Sequence, residues 1–150
     1  MHGDLPATEA LAAAVRTVAE HRRPGAEPHP LNRLARERWL RRVLVEHPER
    51  VGARHLAPAD SPVVLDDLGK SAPAPAAGVD QEGAPLLVVC SVGIDLDLVP
   101  AAADARLADG SEPRLVLAVP PRDDHPVTRQ LVAELVVPVD IVTVDDPSHL

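Results

Sequence analysis

Apolar positions recur with two different spacings along this chain. In residues 7–22, ATEALAAAVRTVAEHR, Leu11, Val15 and Val18 fall at i, i+4 and i+7, one face of a helix. Thr8 is placed to cap its start, and Pro24-Gly25 stops it. The segment from Pro24 to Pro30 holds three prolines and reads as a linker. A second helix is predicted over residues 31–47. There Leu31, Ala35, Trp39 and Val43 form an i+4 ladder with Leu34 beside it, and Leu40 and Leu44 lie on another side. Arg33, Arg36, Arg38, Arg41 and Arg42 fill the gaps, offset within 33–42 only by Glu37, and Pro48 ends the helix. Arg stems can cover apolar surface while their charged ends stay in water.

Beyond residue 77 the spacing changes to short continuous apolar runs. GVDQEG at 78–83 carries turn chemistry and predicts a hairpin whose second strand is LLVVCSV, Leu86–Val92. That run is apolar on both faces, as a buried central strand should be. A helix is expected over 98–108, with Asp97 as N-cap, Pro100 in the first turn and Asp109-Gly110 as the stop. Leu115–Val119 is the next buried strand, and a helix over 126–136 starts with Pro126 at its first position. Val127, Leu131 and Leu135 form its apolar face, and Val139–Val144 is the last strand. Strand, helix, strand, helix, strand implies parallel pairing with right-handed crossovers. The expected fold class is therefore α/β: a small, mainly parallel sheet of three to five strands flanked by helices, with an N-terminal helical arm. The predicted division is an arm over 1–55, a Pro/Ala-rich linker over 56–77 and a core domain over 78–150. Within the linker, Val63-Val64-Leu65 is placed to dock as an edge strand, and 66–77 reads as a mobile connection.

Composition narrows the function. The chain has one Trp and no Tyr or Phe among its 150 residues, so its core rests on Val, Leu, Ile and Ala. Aromatic platforms for single-stranded nucleic acid are excluded. A single Cys excludes a disulfide framework and a Cys-rich zinc site. No apolar run approaches membrane-spanning length, and the N-terminus shows no signal-peptide pattern, so no membrane association and a cytoplasmic location are expected. Charge is uneven: residues 1–55 carry ten Arg against seven acids, whereas residues 56–150 carry five Lys or Arg against sixteen acids. A basic arm on an acidic body either folds back on that body or reaches an acidic partner. An acidic body disfavours nucleic acid, because little counterion release is available to drive binding. Arg outnumbers Lys fourteen to one, which reflects a GC-rich genome more than a phosphate site.

Candidate chemistry gathers where strands of a parallel sheet end. Ser91, Gly93, Asp95 and Asp97 follow one strand, Arg122, Asp123 and Asp124 the next, and Asp145 the last. This rim has the composition of a divalent-metal or hydroxyl site, and equally of a helix cap surrounded by solvated loop acids. Cys90 lies within a strand with no Arg after it to stabilise a thiolate, so it reads as an inert core residue. Ser91 lacks a nucleophile elbow, and no phosphate loop is present. The His residues lack metal-ligand spacing, and His125 belongs to a helix start.

From Asp80 and the hairpin through LLVVCSV, RLVLAVP, PVTRQLVAELV and VDIVTVD, residues 78–150 resemble the restriction-endonuclease-like, or PD-(D/E)XK, fold. That resemblance implies a metal-dependent nuclease in which acids hold Mg²⁺ or Mn²⁺ and a Lys orients the attacking water. The position of the acid-x-Lys motif is taken here by Cys90-Ser91-Val92, and Asp95-Leu96-Asp97 ends in Asp where Lys belongs. Only Asp80 carries over. The whole chain also resembles small actinobacterial proteins, which implies a source and no particular chemistry. The expectation is thus a non-enzymatic accessory or interaction module on a degenerate nuclease-like fold, with no cofactor. Its partner would be another protein or a second copy. Arg36, Trp39, Leu40 and Leu44 are the candidate interface, an apolar centre with an Arg rim. The alternatives are a divergent nuclease using Asp80, Asp95 and Asp97 with Mg²⁺ or Mn²⁺, and a small-ligand or nucleotide binder at the strand-end rim.

Overall fold

The short turn after Asp80 determines how the sheet begins. So few residues cannot cross over a sheet, so the strands they join must run antiparallel. In the computed structural model, which describes residues 7–21, 36–62 and 72–145, these strands are β2 (Ala74–Asp80) and β3 (Pro85–Cys90). Another strand, β1 (Ala53–Pro58), pairs antiparallel with β2. Beyond β3 the chain alternates through α3 (Leu98–Asp109), β4 (Arg114–Val119), α4 (Pro126–Ala133) and β5 (Val139–Thr143). β4 joins β3 and β5 joins β4, both in parallel. The spatial order β1-β2-β3-β4-β5 is the order of the chain.

The α/β class and the run of elements after residue 78 follow the hydrophobic pattern. The sheet itself is mixed rather than mainly parallel, because β1 and most of β2 come from residues expected to be arm and linker. β2 reads APAAGVD, without the β-branched and aromatic residues that mark a strand in sequence. It is held instead by neighbours on both sides. Gly78 explains one requirement of that position: a Cβ there would lie 1.9 Å from the backbone oxygen of His55, where the β1–β2 register shifts between Ala53 and His55. Glycine in a strand interior commonly marks such a close backbone approach.

Alternation along the central strands divides the core into two layers. Leu86, Val88 and Cys90 of β3, with Val116 and Ala118 of β4, face α2 (Arg36–Glu46), which buries Leu40 and Leu44 among them. Leu87 and Val89, with Leu115, Leu117 and Val119, face Leu98, Val99, Ala102 and Ala105 of α3 and, at the margin, Leu131 and Val132 of α4. Placing α3 and α4 on one face is the result expected of two successive crossovers of the same hand. Asp97 occupies the N-cap position of α3 without a side-chain capping bond, and left-handed Gly110 ends the helix as its sequence predicts.

α2 corrects the predicted ladder. The buried positions are Glu37, Leu40 and Leu44, and Trp39 is only half-buried. Leu31 and Ala35 lie outside the described residues, as does the trio Val63-Val64-Leu65. α1 (Ala7–His21) belongs to a separate unit, Met1–Arg33, in which Leu11 and Val15 are exposed. No helix among the described residues is long and apolar enough to cross a membrane.

Candidate functional site

Where β3 ends, the chain must leave the sheet without stranding its polar backbone. Ser91 is buried, and its N–H donates to the Ala118 carbonyl at 3.1 Å. Gly93 then takes φ +91°, a conformation that favours glycine. Its N–H donates to Asp123 Oδ2 at 2.7 Å. Asp123 is buried, and its other carboxylate oxygen lies 3.7 Å from Arg122 Nε. One carboxylate thus ties the loop after β3 to the loop after β4.

The other rim residues are engaged in the same local way. Asp95 Oδ1 accepts the Asp97 N–H at 2.9 Å, forming the turn that leads into α3. Asp124 accepts from Arg129 Nε at 2.8 Å. His125 caps α4, its Nδ1 accepting the Val127 N–H at 3.2 Å. The structure therefore brings Ser91, Gly93 and Asp123 together, with Asp95 and Asp97 in the adjoining loop, where Asp95 closes a turn and the Asp97 side chain makes no capping bond.

Asp80 does not join them. Its Oδ1 accepts the N–H groups of Glu82 at 3.1 Å and Ala84 at 2.8 Å, closing the β2–β3 turn. All six residues of β3 stand between it and the rim, about 17 Å at the usual rise per residue. Ligands of one divalent ion lie within about 2.6 Å of it. Asp80 therefore cannot share a metal with Asp95 and Asp97, which corrects the three-acid constellation. No group of three or more His, Cys, Asp or Glu suited to a metal occurs among the described residues.

The predicted interface also changes. Leu40 and Leu44 are 1% and 0% exposed, packed on the sheet, so they are not available to a partner while α2 is docked. Arg36 and Trp39 are half-buried beside them. Sequence reasoning missed Glu37 and Arg41. Glu37 is buried, and Arg41 Nη1 reaches the Ala59 and Pro75 carbonyls, each at 3.3 Å, clasping the ends of β1 and β2. Both charges act on Cys90. Burial pushes its thiol up to about 12, Arg41 opposing the shift and Glu37 adding to it. Such a thiol is protonated and unreactive. A polar residue on the buried stripe of a helix was the one available signal, and it became legible only once Leu40 and Leu44 fixed that stripe.

Two open cavities lie away from the rim. One, of about 310 Å³, runs between Pro75 and Leu87 of the sheet, Ala105 and Ala108 of α3, and the Ala59–Pro62 segment. The other, about 300 Å³, follows the outer edge of β5 beside Arg129 and Val132. No protein-family model matches the chain, and comparison with curated proteins and with solved structures likewise finds no match.

Proposed function

We propose that this protein is a non-enzymatic interaction module on a degenerate nuclease-like scaffold. The observation that carries the reading is the use made of the acids: among the candidates Asp80 closes a hairpin, Asp95 shapes a turn and Asp97 stands at the N-cap position of α3, while Asp123 beside them joins two loops. Carboxylates so engaged form parts of the fold, and an activated water or metal clamp needs groups that converge on one point. The scaffold reading is supported by the succession of hairpin, buried strand, helix, strand, helix and strand. The interaction reading is supported by large apolar side chains left in solvent: Ile94 and Leu96 on the rim loop, and Val136, fully exposed, before β5.

Incubating the purified chain with single- and double-stranded DNA in Mg²⁺ or Mn²⁺ tests the proposal. The expected result is no cleavage, and no thermal stabilisation by either ion or by a nucleotide panel. Cleavage by the wild type that disappears in Asp95→Ala and Asp97→Ala would establish the nuclease reading instead. A saturable thermal shift with one nucleotide would establish ligand binding.

A further inference from the structure

The two edges of the sheet are built differently. Edge strands offer unpaired backbone groups to other chains, and bulges, charged residues and prolines are the usual protection. β1 has all three: the register shift between Ala53 and His55, Arg54 within it, and Pro58 at its end. β5 reads VDIVT, without a bulge, Lys or Arg; its one charge is Asp140, its proline, Pro138, lies before the strand rather than in it, and exposed Val136 and Val137 precede that.

We infer that the outer edge of β5 is a homodimer interface, on which β5 of a second copy pairs antiparallel about a twofold axis at Ile141. This rests on the interaction-module reading and names its partner. The backbone supplies the register. The Val144 N–H donates inward to Val119, so by the strand's period of two Val142 and Asp140 also turn inward. Val139, Ile141 and Thr143 then direct their N–H and C=O groups outward. Centring the axis on Ile141 lets Ile141 exchange both bonds with Ile141 of the second copy, and Val139 with Thr143. Every outward group is satisfied in one arrangement, and the contact closes as an isologous pair.

Side chains agree with that register. Val139 and Ile141 already pack at the margin of the α3 and α4 layer, so pairing extends an apolar surface across the axis. On the opposite face Asp140 meets Val142 of the second copy rather than another acid. Its charge is met within its own chain by Arg114 Nη1, 3.5 Å away. An acidic protein can therefore pair here without setting like charges directly opposite each other.

Sedimentation of the full chain over a wide concentration range tests the assignment. Wild type is expected to dimerise reversibly. Thr143→Pro removes an outward N–H at an exposed position and should weaken association at least about tenfold, whereas Thr143→Ser, which keeps that N–H, should not. Thr143→Lys provides a second disrupting variant if the proline prevents folding. Hydrogen exchange identifies the surface: the Val139, Ile141 and Thr143 amides should be protected in the dimer and exposed on dilution. A wild type monomeric to about 1 mM overturns the inference, as does a dimer whose Val139, Ile141 and Thr143 amides stay unprotected. A monomer that instead binds a short extended peptide along β5 also overturns the second copy as occupant, and leaves the interaction reading standing. That broader reading is decided by the cleavage and ligand measurements.

Discussion

The two faces of the sheet solve the same burial problem with different side chains. On one, a single helix inserts two large residues, Leu40 and Leu44, among the side chains of four strands. On the other, α3 buries Leu98 and Val99 in its first turn and then approaches through Ala102 and Ala105, while the apolar residues of α4 are only partly buried. The first layer concentrates its stabilisation in a few contacts and also holds two charged residues near Cys90, Glu37 and Arg41. Beyond the first turn of α3, the second spreads it over smaller contacts whose closeness depends on alanine. Deletion should therefore damage the first layer most, and addition the second.

The largest test is Leu44→Ala, which leaves a cavity under α2. An expected loss of about 2–5 kcal/mol, measured by denaturant unfolding, would confirm the concentration; a loss below about 1 kcal/mol would break the comparison. The next test uses pH. The Cys90 thiol is raised from 9.0 to about 12 by burial, so the folded chain keeps a proton that the unfolded chain releases. The resulting stability is complete below pH 9 and is lost as pH rises towards 12, about 4 kcal/mol over that interval. With no Tyr and one Lys in the sequence, few other groups titrate there. Cys90→Ala should flatten the alkaline decline, whatever its own packing cost at neutral pH.

Adding volume tests the second layer. Ala102→Leu should cost about 1–3 kcal/mol through overpacking against the sheet, read as a lowered unfolding midpoint. If the substitution is neutral, α3 does not sit as close as its alanines indicate. The smallest effect is expected at the rim. Asp123→Ala removes the acceptor for Gly93 and should cost about 1–2 kcal/mol, with faster amide exchange confined to the loops after β3 and β4. A global increase in exchange would show that this bond belongs to the core rather than to its rim.

The second half of the fold was legible because buried strands such as LLVVC and RLVLAV have few other structures available, and Gly110 and Pro126 mark their helix boundaries clearly. β1 and β2 were not. Their Ala and Pro residues carry little intrinsic preference, and partners on the sheet decide the outcome. The register of α2 was displaced for a related reason. Trp39 is its largest apolar residue, yet the surface offered by β1–β3 accepts Leu40 and Leu44 and leaves the ring at the margin. At the rim, the residue types were legible but their roles were not. Asp serves caps, turns and metal sites alike, and only its hydrogen-bond partners distinguish them. The separation of Asp80 from Asp95 needed no coordinates, since a strand lies between them.

Among the described residues, each strand pairs only with the strands before and after it in the chain. Closing short loops costs little entropy, and topologies rich in local contacts reach their transition state quickly. During synthesis the sheet can therefore grow by one strand at a time from β1, each addition using an edge already in place.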